Sequence, residues 1–200
     1  MQTIGIAVIV LTLAIFVYVE INKRTTYSKL EAYMREGKYD EFLALLDKRL
    51  TQTLYPRYNL LFLRLNAMFA KGDTKQAVRV VEEMRGLKMN KEQRMALAVR
   101  AFSLFVEVQD EKNALKELEY IEENGDKTVA VASRRTYEVF FKGSSAYIED
   151  LEQALESASR GEEALICQML AVQYENRGDK ERARSYQERA LRIIDESTGK

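Results

Sequence analysis

Apolar residues follow two patterns along the chain. From Ile4 to Val19 they form a run without a charged side chain, in which 11 of 16 residues are Ile, Leu, Val or Phe. Beyond that run they recur at spacings of three and four, the period of one face of an α-helix. The two patterns predict an all-α protein in which one hydrophobic helix precedes a series of amphipathic helices.

Short polar breaks interrupt the amphipathic part at regular intervals. The breaks lie 35, 37, 34 and 35 residues apart and are centred on Gly37, Gly72, Gln109, Gly143 and Gly178. A glycine can end a helix in the left-handed conformation without the steric cost of a Cβ. An Asp, Asn or Ser beside it can cap the next helix. The breaks therefore predict five helix–turn–helix pairs, with one turn, here called an elbow, in each.

Positions at fixed distances from the elbows also repeat. Five residues after the elbows stand Phe42, Ala77, Ala114, Ile148 and Ala183. Four residues before them stand Tyr33, Met68, Phe105, Val139 and Tyr174. Small residues in the first set let paired helices approach closely, and bulky residues in the second fill the space between helices. A single pair cannot bury its apolar face alone, so we expect the pairs to stack into a solenoid.

The repeated pattern resembles the tetratricopeptide repeat (TPR), a helix–turn–helix unit with a period of 34 residues. The resemblance covers about residues 23 to 197 and is strongest in the last unit, at Leu170, Ala171, Tyr174, Gly178, Asp179, Ala183, Ala190 and Leu191. The chain lacks Trp, and Leu30, Leu65, Phe102 and Thr136 replace the small residue expected seven positions before an elbow. The resemblance implies a right-handed α-solenoid of about five TPR-like pairs over residues 23–200. A generic helical solenoid remains open for the first and fourth units.

The resemblance also implies a partner-binding groove, because TPR proteins bind peptides or proteins along the first helices of their pairs. Aligned in that way, the candidate groove residues are Phe62, Asn66, Phe69, Val99, Arg100, Ser103, Val106, Arg134, Tyr137 and Phe140. This largely apolar set suits an amphipathic helix or an apolar peptide. The alternative is that the aromatic side chains pack in the core and that the arginines pair with neighbours such as Glu138. The lysine motifs of chaperone-binding TPR proteins are missing.

The apolar run at the start predicts a single-pass membrane anchor within residues 1–22, in contact with lipid through residues 4–19. A helix from Gln2 to Glu20 would be about 28 Å long, close to the ~30 Å hydrocarbon core of a bilayer. A cleaved signal peptide is disfavoured because no basic residue precedes the run and bulky residues follow it. Lys23, Arg24 and Lys29 follow the run. The positive-inside rule then places the amino terminus outside the cell membrane, expected to be bacterial, and the repeat domain in the cytoplasm.

Composition argues against most chemistry. The 31 basic and 31 acidic residues balance, so no global field favours nucleic acid, although residues 20–64 hold nine basic against six acidic residues. Histidine is absent and Cys167 is the single cysteine, which excludes an intramolecular disulfide and a Cys/His zinc cluster. Cys167 lies in an apolar stretch and is interpreted as a core residue. We expect no catalytic, metal-binding or cofactor-binding residues, and no enzyme.

The sequence therefore favours a membrane-anchored scaffold or adaptor that binds protein or peptide partners at the cytoplasmic surface. Two alternatives keep the repeats and change the setting. One is an extracytoplasmic, chaperone-like factor associated with secretion, and the other is a receptor for targeting sequences on an organelle membrane. The sequence predicts no particular oligomeric state.

Overall fold

The computed structural model describes the backbone of residues 2–198, and the burial of residue 13 and residues 16–196. Every regular element in this part of the chain is a helix, which confirms the all-α prediction. The helices are α1 (Gln2–Arg35), α2 (Tyr39–Leu46), α3 (Arg49–Leu54), α4 (Arg57–Lys71), α5 (Thr74–Arg85), α6 (Lys91–Glu107), α7 (Glu111–Asn124), α8 (Lys127–Phe141), α9 (Ile148–Leu155), α10 (Arg160–Arg177) and α11 (Lys180–Thr198).

The helices form two compact units, Met1–Leu97 and Ala98–Lys200, whose boundary falls within α6. In the first unit, α2 packs against α1 and α4, and α4 packs against α5. A core cluster joins α1, α2 and α4, and its buried members are Leu30, Phe42, Leu46, Leu60 and Ala67. The first helix pair therefore shares an apolar core with the first helix of the second pair.

In the second unit, α10 is the central helix. It packs against α8, α9 and α11, while α7 packs against α8. A second core cluster lies around α10, with Val139, Ile148, Leu151, Met169, Leu170 and Tyr174 buried. Helices from the last two pairs meet in this cluster, as expected for units that cannot bury their apolar faces alone.

Helix α5 shows how the pattern of apolar residues produces this packing. Ala77, Val80, Val81 and Met84 recur at spacings of three and four and are all buried. Lys75, Arg79, Glu82 and Glu83 lie outside this stripe and are exposed. Full burial of a Val or Met side chain contributes about 1.5–3 kcal/mol, so the stripe holds the helix against its neighbours.

All five predicted elbows have a positive φ. The angles are 68° at Gly37, 79° at Gly72, 57° at Gln109, 64° at Gly143 and 86° at Gly178. At four of them the N–H after the elbow donates to a carbonyl five residues earlier: Lys38 to Tyr33, Asp73 to Met68, Asp110 to Phe105 and Asp179 to Tyr174. The elbow predictions are thus confirmed as left-handed helix ends.

The carboxylates that follow three elbows cap the next helix, as the sequence predicts. Asp73, Asp110 and Asp179 each accept a hydrogen bond of 3.1 Å from the backbone N–H three residues further on. Such a bond satisfies one of the free N–H groups in the first helical turn. In each of these pairs the elbow residue therefore ends the first helix, and the Asp that follows it caps the second helix.

The fourth elbow departs from the prediction. Gly143 turns the chain, but α9 begins only at Ile148, and Ser144 Oγ accepts from the N–H of Ala146 instead of capping a helix. Helix α10 stabilises the longer connection. Gln173 Oε1 accepts the N–H of Tyr147 at 2.9 Å, and Asn176 Nδ2 donates to the carbonyls of Val139 (2.9 Å) and Ser144 (3.0 Å). These bonds hold the connection in place, while α9 itself begins without a side-chain cap.

Helix α1 runs without interruption across the predicted border between residues 1–22 and 23–200. Across the part of the chain that the structure describes, no helix combines the length and apolar character needed to cross a bilayer. The structure does not describe the side chains of residues 1–12, 14 and 15. Most of the predicted anchor at residues 4–19 therefore lies outside the described side chains. The described side chains that follow include a group of exposed apolar ones, Leu13, Phe16, Val17, Tyr18 and Ile21.

We predict opposite effects for two Gly→Ala substitutions. Gly178→Ala places a Cβ at a φ of 86° and should lower the free energy of unfolding by about 1–2 kcal/mol. Gly161→Ala lies in the first turn of α10, where a Cβ meets no other atom, and should raise it by about 0.5 kcal/mol. Urea unfolding followed by circular dichroism measures both, and equal effects would contradict the left-handed elbow.

Candidate functional site

A cavity of about 320 Å³ lies between α8, α10 and α11 in the second unit. Most of its wall is apolar, formed by Phe140, Ala171, Val172, Ala183, Ala190 and Leu191. Three polar side chains, Gln168, Glu175 and Gln187, complete the lining. Its size is at the lower end of typical ligand pockets, and its mixture of apolar walls and a few polar groups is typical of them.

Helical periodicity explains why these residues share one cavity. Gln168, Ala171, Val172 and Glu175 are spaced by three and four on α10, and the lining residues of α11 follow the same rule. Alanines at several of these positions leave room that a larger side chain would fill. Leu191 remains 53% exposed, so an apolar side chain stands free among the lining residues.

A carboxylate on α9 ties together the two helices that line most of the cavity. Glu152 accepts hydrogen bonds from the hydroxyls of Tyr174 on α10 (2.6 Å) and Tyr186 on α11 (2.9 Å). The two tyrosine rings stack with centroids 5.6 Å apart. Arg182 donates to Tyr174 Oη at 2.9 Å, and its guanidinium lies 5.3 Å from the ring centroid. Three helices are thereby fixed relative to each other.

The pKa values of this network move in the directions that its contacts require. The hydrogen bond from Tyr174 is the main cause of the lowered pKa of Glu152. Burial, followed by the bond to Glu152, raises the pKa of Tyr186 to about 12. At neutral pH the carboxylate is therefore charged and both phenols are protonated, which is the state that keeps the network intact.

A second cavity, of about 380 Å³, lies in the first unit and is strongly polar. Its lining includes Arg57, which pairs with Glu83, and Arg64, which pairs with Asp47. Arg79 donates to Gln76 at 3.5 Å. The arginines are thus held mainly by side chains of the chain itself, above a floor of Leu60, Leu61, Met68 and Val80.

The candidate groove residues of the first unit are all half-buried: Phe62, Asn66 and Phe69. Phe62 stacks on Tyr58 with ring centroids 5.7 Å apart. One of its faces is therefore occupied by a neighbour on the same helix.

The second unit contains the other seven candidates. Val106 and Tyr137 are buried, Val99, Arg100, Arg134 and Phe140 are half-buried, and Ser103 is exposed. Ser103 Oγ donates to the carbonyl of Val99 at 3.2 Å. Burial lowers the pKa of Arg100. Of the ten candidates, Phe140 is the one that lines the apolar cavity.

Arg134 and Tyr137 lie close together, with the guanidinium 6.0 Å from the ring centroid, but both are engaged within the chain. Arg134 binds a neighbouring glutamate, as the alternative predicts, but the glutamate is Glu122, reached through two hydrogen bonds of 2.7 and 2.5 Å. Tyr137 is 3% exposed and donates to Glu111 Oε1 at 2.9 Å. Their contacts correspond to the structural alternative rather than to a free groove surface.

The candidates predicted from the sequence do not include the cavity residues of the last pair. These cavity residues carried a signal, because the TPR pattern is strongest there and places Ala171, Ala183 and Ala190 at positions of small residues. The groove candidates lie on α4, α6 and α8, so none of them falls on α10 or α11. The candidate binding surface therefore moves toward the carboxyl end of the chain.

Among the residues that the structure describes, no group of three or more His, Cys, Asp or Glu side chains is placed to hold a metal ion. Cys167 is fully buried, as predicted for a core residue, and burial raises the pKa of its thiol. The thiol is therefore protonated and inaccessible at neutral pH.

We predict that Glu152→Gln weakens the three-helix network in a pH-dependent way. At pH 7 the free energy of unfolding should fall by about 1 kcal/mol, a modest value because solvent screens the site. The lowered folded-state pKa of Glu152 makes its contribution present above the ordinary Glu value of about 4.3. The contribution is lost as the pH falls through the folded-state value.

Urea titrations of the wild type and E152Q between pH 3 and pH 7 measure this difference, which should close toward the acid end. Glu149→Gln, on the exposed side of the same helix, is the matched control and should change stability by less than about 0.5 kcal/mol. A difference that stays constant with pH would show that the charge of Glu152 is not involved.

Comparisons of the chain with protein-family models, with curated proteins and with solved structures gave no match. The resemblance to TPR proteins therefore rests on the residues at and around the elbows.

Proposed function

We propose that the protein is a membrane-anchored α-solenoid of the TPR type that serves as a scaffold or adaptor, binding a protein or peptide partner at the cytoplasmic surface of the membrane. The observation that carries this proposal is the open apolar cavity between α8, α10 and α11. It offers a partner a preformed surface, while the described residues present no site suited to metal chemistry.

The spacing of the elbows supports a solenoid. The same left-handed turn recurs about every 35 residues, and helices of successive pairs pack against each other in each unit. Repeats of this kind create extended surfaces along which partners bind. The differing fourth elbow keeps its place in the period and changes only the length of the connection.

The chemistry of the cavity favours an amphipathic segment as the occupant. Phe140, Val172 and Leu191 provide contacts for apolar side chains, and Gln168 and Gln187 can donate or accept hydrogen bonds. Glu175 disfavours a carboxylate at that edge and favours a basic or neutral side chain. A helix that presents apolar residues on one face and polar ones beside it satisfies both conditions.

The exposed apolar residues of α1 support the anchor. Phe16 and Val17 belong to the uncharged run from Ile4 to Val19, and Ile21 follows that run after Glu20. All three side chains are more than half exposed. Anchoring would confine the cavity to the membrane surface and so raise its effective concentration toward other membrane-associated proteins. The basic residues after the run favour the cytoplasmic side for the repeats.

We expect the full chain to remain with the membrane fraction after extraction with alkaline carbonate, because in this proposal the uncharged run from Ile4 to Val19 lies within the bilayer. A variant that lacks residues 1–19 should be released into the soluble fraction.

Protease added to intact cells should leave the repeat domain uncut. Cleavage from outside would support the extracytoplasmic alternative, and extraction of the full chain by carbonate would contradict the anchor.

We also predict that Leu191→Glu abolishes partner binding. A photo-crosslinking amino acid at Gln187, in the full chain in its own cells, should capture a partner, and L191E should reduce the captured amount at least about tenfold, as loss of an apolar contact worth about 1.4 kcal/mol or more would. Leu191 is 53% exposed, so folding should be little affected.

Leu165→Glu is the matched control. Leu165 is 60% exposed on α10 and does not line the cavity. L165E should therefore leave crosslinking unchanged. Equal losses in the two variants would show that general surface charge, and not the cavity, controls binding.

A further inference from the structure

We propose that one end of the first unit is a docking surface for anionic lipid headgroups, so that the chain contacts the membrane a second time beside its anchor. This inference rests on the anchor of the proposed function. It concerns the end of the unit that carries the connections between helix pairs, from α2 to α4 and from α5 to α6. This end is called the basic end below.

A hydrogen bond fixes the depth of the basic end relative to the predicted anchor. The hydroxyl of Tyr55, in the turn between α3 and α4, donates to the carbonyl of Lys23 on α1 at 2.6 Å. Lys23 lies four residues beyond Val19, or about 6 Å along the helix axis. The headgroup layer on each side of a bilayer is about 5–8 Å thick. The turn that contains Tyr55 therefore lies at headgroup depth.

The second connection lies beside the first. Arg57, at the start of α4, forms a salt bridge with Glu83 near the end of α5. The hydroxyl of Tyr58 donates to the carbonyl of Gln93 at 2.9 Å. Both connections thus belong to the same end of the first unit.

The elbows at Gly37 and Gly72 form the opposite end. A salt bridge between Lys71 and Asp40 holds them together. Gly37 lies 18 residues beyond Val19, or about 27 Å along α1. The elbow end is therefore well outside the headgroup layer when the helix is near the membrane normal.

The two ends differ in charge. The segments 20–29, 47–58 and 82–92 of the basic end hold nine basic and five acidic residues. The segments 33–42 and 68–76 of the elbow end hold four of each. The uneven distribution of charge along the chain therefore becomes an asymmetry in space, with the excess of positive charge at the end nearest the anchor.

Salt bridges within the unit sharpen this asymmetry. Four of the five acidic residues at the basic end are paired: Glu20 with Arg24, Asp47 with Arg64, Glu82 with Arg85 and Glu83 with Arg57. Six basic residues form no salt bridge within the described part of the chain, namely Lys23, Lys29, Lys48, Arg49, Lys88 and Lys91. All of these except the half-buried Lys23 are exposed. Their charge is available to an external anion.

An anionic bilayer is the partner that fits this surface best. Basic groups within a Debye length of an anionic leaflet are attracted to it, and the attraction weakens as salt is added. The exposed Tyr18 ring on α1 suits the same interface. The anchor holds the basic end at the lipid surface permanently. A soluble anion would therefore have to compete with the lipid headgroups for the same basic side chains.

Fluorescence quenching in reconstituted full-length chain tests this proposal. Thr53→Cys on α3 and Ala70→Cys near the second elbow, each in a Cys167→Ala background, give exposed labelling positions at the two ends. Each is labelled with an environment-sensitive fluorophore and reconstituted into vesicles of phosphatidylglycerol and phosphatidylcholine, or of phosphatidylcholine alone. A spin label on the lipid headgroup acts as the quencher.

We expect strong quenching at position 53 in the anionic vesicles, at least threefold above position 70, and a large loss of that quenching in neutral vesicles or in 1 M salt. Lys48→Glu with Lys88→Glu should reduce quenching at position 53. Lys38→Glu with Lys75→Glu makes the same change of charge at the elbow end and should not. Circular dichroism checks that both double variants keep their helix content.

Equal quenching at position 53 in neutral and anionic vesicles, or equal effects of the two double variants, would overturn the docking surface while leaving the anchor in place. Loss of the chain from the vesicles in an alkaline carbonate wash is a different outcome. It would overturn the anchor, and the docking surface with it.

Discussion

The left-handed residue at each elbow is the constraint on which the rest of the structure depends. Once the chain turns at that residue, its neighbour can cap the next helix, and the paired helices must run back alongside each other. Four elbows use glycine, while Gln109 adopts a φ of 57° and donates its own side-chain amide to the carbonyl of Val106. The apolar stripes meet only because these turns place them face to face.

Local rules made the helices and elbows predictable from the sequence. A three-and-four spacing of apolar residues and a Gly or Asp at a break act over a few residues, so they can be read along the chain. The fourth connection could not be read in this way, because Gln173 and Asn176 reach it from 26 to 37 residues away. The Glu152 network is long-range for the same reason. Tyr186 and Glu152 are 34 residues apart and meet only after the pairs have packed.

The candidate groove shows where a family resemblance stops being informative about a site. A position in the first helix of a pair fixes which face a residue occupies, but it does not fix what already covers that face. Tyr137 aligns with a groove position and is nevertheless buried on Glu111, while Phe140, three residues later, reaches a cavity. The cavity owes its volume to alanines on two helices, and an absence of side-chain bulk is harder to recognise in a sequence than an aromatic residue.

The uninterrupted course of α1 has a mechanical consequence. The helix has 34 residues, so it is about 51 Å long and has no loop at which its two halves could bend independently. For an anchored chain, a tilt of about 20°, common for membrane helices, would move the elbow at Gly37 sideways by roughly 9 Å. The first helix pair would follow as part of the same rigid rod. Changes in bilayer thickness would thus be converted into lateral displacement of the first helix pair.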